Sequence, residues 1–369
     1  MRFRTLMAIA VALLVVAGAS FGMSTAEDTI KIGVAGPHSG DLSPYGLPTI
    51  NAVELVVEKV NAAGGVLGRQ IELIIEDDTC APEVAANTAA KLVSDGVVAV
   101  IGHICSGATN TAMPIYLESD ILAISPSATN PSLRDFENFF RTIGADDEQA
   151  PSQVTYVVDE LGLTKIAILH DKGDYGKGLA DVALATLEAR GIEPLLFDGI
   201  TVGAVDYSAI INRVAAEGAE IVIWGGYHPE ASKLVDQMRS AGVTVDFIGA
   251  DGIYGDAIID LAGQAAEGVY ASGPSQGTGA LAEEYTELHV ETYGTEPGDF
   301  FFQAVAATLA LVNAIEVAGS TDYDAVTAAL RSEMVDSPLG MVGFDANGDA
   351  VGTGFSIYQV QGQEYVQVQ

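Results

Sequence analysis

The sequence predicts an α/β fold of two doubly wound parallel-sheet lobes joined by a multi-strand hinge. Three observations predict it. Short β-branched runs alternate with segments of helical periodicity, that rhythm restarts midway along the chain, and the last third supplies helices with no strands between them.

Residues 29–36 (TIKIGVAG) have the pattern of a buried strand, and residues 51–65 (NAVELVVEKVNAAGG) follow with apolar residues at helical spacing until Gly64 and Gly65 end the segment. Residues 71–78 (IELIIEDD) are the second strand and residues 82–96 (PEVAANTAAKLVSDG) the second helix. Residues 97–102 (VVAVIG) and 121–126 (ILAISP) are the third and fourth strands, with another helix between them. Parallel neighbours need helical crossovers, so this order calls for a parallel sheet with helices on both faces.

The same rhythm returns at residues 165–171 (KIAILHD), 220–226 (EIVIWGG) and 245–251 (VDFIGAD), separated by helices such as 178–191 and 231–242. Residues 282–294 and 301–319 are then helices without intervening strands. The tail from 344 alternates like a hairpin, with Asn347–Gly348 as a natural type I′ turn. Late helices that complete the first lobe require several crossovers, which makes a hinge. The division expected is 27–147 plus 276–350 for lobe 1 and 148–275 plus 351–369 for lobe 2.

Residues 1–26 stand outside this scheme. Arg2 and Arg4 precede an apolar run over 6–16, and Ser24 and Ala26 give the small residues of a signal-peptidase site, so cleavage after Ala26 and export are expected. No cysteine near that point offers a lipid anchor, and no later stretch reads as long and apolar enough to span a bilayer. The formal charge of −34 excludes nucleic acid and anionic membranes as partners, because both need a basic face. The acidic surplus reads as a solvated surface.

Two cysteines, Cys80 and Cys105, in an exported chain favour a disulfide over two buried free thiols. The segment IGHICSGATN (101–110) places His103, Cys105 and Ser106 together, which raises the possibility of a nucleophile with its base. A bonded sulfur is no catalyst, and His103 after a strand reads as a packed residue with one hydrogen bond. Other motifs fail on spacing. KGDYGKG (172–178) fits neither G-x-G-x-x-G nor the Walker loop, and Asp345, Asn347 and Asp349 start an EF-hand pattern that Ala350 and Ser356 break. The five histidines are scattered, and no G-x-S-x-G elbow occurs. No metal and no cofactor are expected.

Polar and aromatic residues do recur at the carboxyl ends of strands, where doubly wound sheets bind ligands. The first lobe offers Tyr45, Ser106, Ser127 and Thr129; the second offers Tyr175, Tyr227 and Asp251. Hydroxyls and free N–H groups at Ser106 and Thr129 suit a carboxylate, Asp251 suits an ammonium, and tyrosine rings suit an apolar side chain. That inventory describes an amino-acid zwitterion.

At these residues the chain resembles a known family. GPHSGDLSPYG, NAAGGVLGRQIELIIEDDTCAP, IGHICSGAT, SPSATNP, HDKGDYGKGLA and GGYHPE, in this order, resemble the periplasmic leucine/isoleucine/valine-binding proteins of branched-chain amino-acid ABC transporters, which have the type I periplasmic-binding-protein fold. The resemblance implies that Ser106 and Thr129 bind the ligand carboxylate, with Thr129 and the Ser127 backbone near the ammonium. It implies that Asp251 and Tyr227 face the ammonium from the second lobe, and that Tyr45, Ile104, Cys105, Tyr175 and Phe300 line the side-chain pocket. It also implies a Cys80–Cys105 disulfide, a periplasmic location, a monomer, and a membrane permease as partner. Two departures stand out: Asp251 where the family usually has glutamate, and Ser127 where alanine is typical. Relatives also carry amides, urea or aromatic acids, so those cargoes are the alternative. The rival of another class is a secreted hydrolase using Cys105 or Ser106 with His103.

Overall fold

In the computed structural model, which describes residues 29–369, the apolar runs form two parallel sheets. The expected signal segment and its cleavage point lie outside the described residues. The first sheet joins β1 (Ile30–Gly36), β2 (Ile71–Asp77), β3 (Ala99–Ile101), β4 (Leu122–Ser125) and β5 (Phe139–Arg141), all parallel, in the order β2-β1-β3-β4-β5. The connecting helices are α1 (Ser43–Ala62), α2 (Pro82–Asp95) and α3 (Ser106–Leu117). Successive strand residues point to opposite faces, so Val100 packs with Leu92 of α2 and Met113 and Tyr116 of α3, while Ile101 packs on the other side. α1 begins earlier than its apolar period suggests. Pro44 and Pro48 punctuate the sequence there, yet Pro44 falls in the first turn, where its missing N–H costs nothing, so the helix takes in Tyr45.

α4 (Asp146–Thr155) leads into the second sheet. Its parallel strands are β6 (Ile166–His170), β7 (Leu196–Gly199), β8 (Ile221–Gly225), β9 (Asp246–Gly249) and β10 (Tyr270–Pro274). α5 (Asp174–Ala189), α6 (Ser208–Glu217), α7 (His228–Ser240) and α8 (Asp256–Ala262) alternate with them. Trp224 and Phe247 face α6, α7 and α8, whereas Ile168, Ile223 and Ile248 face α4 and α5.

The chain then returns to the first sheet with α9 (Gly279–Tyr293), α10 (Phe301–Ala318) and α11 (Tyr323–Ser332). Ala307, Leu311 and Ile315 of α10 and Val326 and Leu330 of α11 cover the face that carries Ile32 and Ile101. At 18 residues α10 is long and apolar enough to cross a membrane by composition alone, contrary to the sequence reading. It is a core helix, lying between α1 and α11 with two thirds of its length buried. β11 (Val335–Ser337), β12 (Gly340–Phe344) and β13 (Ala350–Val351) form a small antiparallel sheet, and β14 (Phe355–Gln361) and β15 (Glu364–Gln367) join the second sheet beside β10. Between β5 and β6, β10 and α9, and β13 and β14, the chain crosses from one sheet's body to the other.

The tail's tight turn is not where the sequence places it. Phe344 pairs with Ala350, so Asn347 and Gly348 lie in a longer loop, and of the two only Gly348 has positive φ, at 83°. A type I′ turn needs both. The Asp345 carboxylate instead accepts the N–H groups of Asn347 and Asp349 and shapes a wider loop. The two-residue turn with both φ positive is Gly362–Gln363, between β14 and β15.

Candidate functional site

The carboxyl ends of both sheets face each other across one cavity. On the first-sheet side, the loop after β3 is held from below. His103 is fully buried, with Nδ1 2.5 Å from Asp78 Oδ2 and Nε2 2.9 Å from the Tyr116 hydroxyl. It therefore makes two side-chain hydrogen bonds rather than the one expected, and neither ring nitrogen is left to act as a base. Cys80 and Cys105 are joined by a disulfide with Cα atoms 5.5 Å apart. It ties the end of β2 to the start of α3, a constraint worth about 3 kcal/mol in the loop-entropy picture.

The next loop braces the first. Ser125 Oγ donates to the His103 carbonyl at 2.5 Å, and Ser127 Oγ donates to the Ile104 carbonyl at 2.9 Å. Asn130 N–H donates to Ser106 Oγ at 3.3 Å. Ser106 is thus fixed as the first residue of α3, where the opening N–H groups have no intrahelical acceptor and the helix dipole favours an anion.

On the second-sheet side, Tyr175 opens α5, Tyr227 caps α7 and Asp251 follows β9. The Tyr175 hydroxyl donates to Asp251 Oδ1 at 2.8 Å and accepts the Gly252 N–H at 2.9 Å. Tyr175 and Tyr227 rings lie 4.9 Å apart. A Cβ on Gly252 would stand 2.7 Å from Tyr175 Cε1, so this tyrosine can lie flat only against glycine.

Tyr45 joins the two sides. Its ring lies 5.7 Å from Phe300 and 6.1 Å from Tyr227, and its hydroxyl reaches across to the Gly252 carbonyl at 2.7 Å and to His228 Nδ1 at 2.5 Å. His228 Nε2 lies 3.0 Å from the Asp41 carbonyl, which can only accept, so that nitrogen carries the proton. Burial lowers the His228 pKa to about 4, which keeps the imidazole neutral. Phe300 turns its backbone into the left-handed region (φ 61°), an uncommon conformation for an aromatic residue.

Tyr45, Ile104, Ser106, Ser127, Tyr175, Tyr227, Asp251, Gly252 and Phe300 line one narrow cavity. The structure therefore brings together every sequence-predicted site residue except Cys105 and Thr129, which stand behind the wall. Cys105 packs with Ile104 and Phe300, and Thr129 is fully buried. Burial pushes the Asp251 carboxyl up to about 6, against the Tyr175 and Gln149 hydrogen bonds that lower it. Burial also holds the Tyr45, Tyr175 and Tyr227 hydroxyls well above their usual range, so all three stay protonated donors.

Three residues escaped the sequence reading: Gly252, His228 and Asp146. Gly252 follows Asp251 directly, and a glycine after a strand-end carboxylate is a usable signal. His228 lies in GGYHPE, but only the fold shows that it meets Tyr45. Asp146 heads α4, is fully buried, and has its carboxyl raised well above the usual range by burial and by the charge of Asp251. In sequence it looks like one acid among three at a helix start.

This cavity sits on a chain that matches the periplasmic binding protein family over residues 29–364. The leucine-, isoleucine-, valine-, threonine- and alanine-binding protein of Pseudomonas aeruginosa is 37% identical over 356 residues, covering 94% of each chain. The Leu/Ile/Val-binding protein of Escherichia coli is 34% identical over 338 residues, covering 91% of this chain and 92% of that one. A solved structure of the branched-chain amino acid transporter substrate-binding protein LivJ of Streptococcus pneumoniae, in complex with isoleucine, superposes with a TM-score of 0.81 at 25% identity. That superposition covers 92% of this chain and 99% of the other. The two parallel sheets, their shared cavity and the match along almost the whole chain give one result: the chain belongs to the periplasmic binding protein family.

Proposed function

We propose that this protein is an exported solute-binding protein that captures leucine, isoleucine or valine by lobe closure and delivers it to an ABC-transporter permease. One observation carries the reading. Asp251 on the second lobe and Ser106 at the start of α3 on the first lobe flank one cavity walled by Tyr45, Tyr175, Tyr227 and Phe300. A carboxylate for an ammonium, a helix start for a carboxylate and rings for an aliphatic side chain match an amino acid group by group. An amide, urea or an aromatic acid leaves Asp251 without its cation. The names of the Pseudomonas aeruginosa and Escherichia coli relatives support the same cargo.

The moving units in this reading are lobe 1, 27–147 plus 276–350, and lobe 2, 148–275 plus 351–369. Ligand contacts from both lobes favour the closed state, so binding shifts an open–closed equilibrium. The protein works as a periplasmic monomer and performs no chemistry. Cys105 is held in the disulfide, and His103 spends both ring nitrogens on Asp78 and Tyr116, away from Ser106.

A thermal-shift screen of the mature protein tests the cargo. Ligand at a hundred times its dissociation constant adds about 2.7 kcal/mol to the folded state, a midpoint rise of roughly 5–10 °C. The rise is expected with branched aliphatic amino acids and not with amides, urea or aromatic acids; the reverse pattern overturns the cargo.

The pH dependence has a definite sign. Asp251 titrates near pH 6 in the unliganded protein, and the ammonium needs its ionised form. Leucine affinity therefore holds above pH 6 and falls on acidification below it, by about tenfold per unit once a single proton is taken up. The unliganded protein responds the other way, because a carboxyl whose pKa is raised by folding gives up stability as pH rises from about 4 to about 6. Isothermal titration between pH 5 and pH 8 reads the first effect, and affinity that is flat over that range contradicts it.

A further inference from the structure

A second cavity lies where the chain crosses from β10 to α9, and Phe300 stands in the wall of both cavities. Its volume is about 340 Å³, the size of a small-molecule site (about 300–1,000 Å³). Both bodies of the protein build it. Tyr254 and Asp256 around the start of α8 and Tyr365 of β15 come from the second-sheet side. Asp299, Phe300 and Phe302 around the start of α10 come from the other.

Its chemistry is one-sided. No lysine, arginine or histidine lines it, whereas the acids Asp256, Asp299 and Glu364 do. Three of its side-chain donors are already spent. The Gln303 amide donates to the Ser275 carbonyl at 2.9 Å, the Gln276 amide to the Pro274 carbonyl at 2.9 Å, and the Tyr365 hydroxyl to the Ile253 carbonyl at 2.8 Å.

Asp299 bears the cost of this arrangement. Its carboxylate lies against Gly255 of the second-sheet side, where a Cβ would stand 2.2 Å from Oδ2 and 2.5 Å from Oδ1, so the approach requires glycine. Among the described residues no hydrogen bond holds that carboxylate, and burial with the charge of Asp256 pushes it up to about 8. A carboxylate with a like charge beside it and no donor is costly, and a cation in the cavity removes the cost.

The walls select the kind of cation. A metal ion needs several oxygen ligands converging on one point, and no group of acids, imidazoles or thiols among the described residues is arranged to hold one. A primary ammonium needs acceptors for three N–H donors. An alkylated ammonium needs only rings for its methyl groups and one opposite charge. Tyr254 and Tyr365, with ring centroids 5.2 Å apart, supply rings together with Phe300 and Phe302, and Asp299 supplies the charge.

We infer that this cavity binds a small alkylated ammonium ion, paired with Asp299 and packed against Tyr254, Tyr365 and Phe302, and that its occupancy favours closure on the amino acid. The coupling rests on the lobe-closure reading above. Residues of both lobes surround the cation, so it binds the closed state better, and cation and amino acid strengthen each other reciprocally.

Choline is the probe, titrated into wild-type protein stripped of amino acid. The controls are 3,3-dimethyl-1-butanol, its neutral isostere, and sodium chloride at equal concentration. Choline alone is expected to bind saturably by isothermal titration, at one per chain, and to raise leucine affinity about fivefold or more. Asp299→Asn is expected to abolish both effects, while its leucine affinity without choline stays within about threefold of wild type. No choline binding overturns the inference, as does choline binding that Asp299→Asn leaves intact. An equal response to the alcohol or to sodium chloride reduces the effect to apolar packing or to screening of the acidic surface, and overturns it too. These wild-type comparisons hold even where the variant does not fold. A fall in leucine affinity with choline places the cation in the amino-acid cavity and contradicts a separate site. Wild-type protein that binds choline but no branched-chain amino acid overturns the cargo and the coupling, not the cation site.

Discussion

Asp251→Ala is expected to abolish amino-acid binding while leaving a folded protein. The reason lies in burial. Asp251 is almost fully enclosed, so an ammonium placed beside it is desolvated, and removing the carboxylate strands that cation in a site of low polarity. Truncating one member of a buried charge pair costs about 2–5 kcal/mol or more, which is on the order of 30-fold to several thousandfold in affinity. Folding should survive, because the unliganded protein carries Asp251 at a cost, with its carboxyl raised to about 6 by burial. The loss within the protein is the hydrogen bonds from Tyr175 and Gln149, about 1 kcal/mol each. Calorimetry with leucine and a thermal melt on the same sample separate the two effects. Leucine affinity unchanged in Asp251→Ala would remove Asp251 from the site.

Gly225→Ala is expected to cause the largest loss of stability, and a loss of binding with it. A Cβ at Gly225 would stand 2.0 Å from the Gly176 carbonyl oxygen and 2.9 Å from its carbon. Both are backbone atoms, so no rotamer change relieves the clash. The end of β8 must part from the start of α5, and those two points carry Tyr227 and Tyr175 within two residues. Overpacking of this kind costs up to about 3 kcal/mol, a fall in melting temperature of roughly 5–10 °C. Parting the two segments also opens the 4.9 Å stack of tyrosine rings that walls the cavity. A melting temperature within about 2 °C of wild type would show that the two segments do not touch as described.

Most of the fold was legible because parallel sheets bury both faces of a strand. Runs such as IAILH (166–170) and IVIWG (221–225) are therefore apolar throughout, and each is closed by Gly, Asp or His at the ligand end. The start of α1 was less legible, since Pro44 and Pro48 are breakers in sequence, whereas in the fold Pro44 falls in the first turn and Pro48 lies inside the helix. The tail misled for a related reason. Asn-Gly is the strongest short turn signal, yet Asp345 captured the neighbouring N–H groups and widened that loop, while Gly362–Gln363 made the tight turn.

In the site, residues that deliver a hydroxyl, ring or carboxylate from a strand end could be found one at a time. Asp146 could not. Asp146, Asp147 and Glu148 form an acidic helix start that resembles a solvated face, and Asp147 does reach the surface to pair with Arg134. What separates Asp146 from its neighbours is the direction of α4, whose inner face also carries Ala150 and Val154 of the second-lobe core. His228 was hidden in the same way, because its partner Tyr45 is 183 residues distant.

The central claim is that one branched-chain amino acid is held between the two lobes. Isothermal titration of the mature protein, stripped of ligand by unfolding and refolding, with leucine at pH 7.5 tests it most directly. The predicted result is saturable binding at one leucine per chain, shared by isoleucine and valine and lost in Asp251→Ala. No binding of any of the three by a folded sample, or full binding by the Asp251→Ala protein, would contradict it.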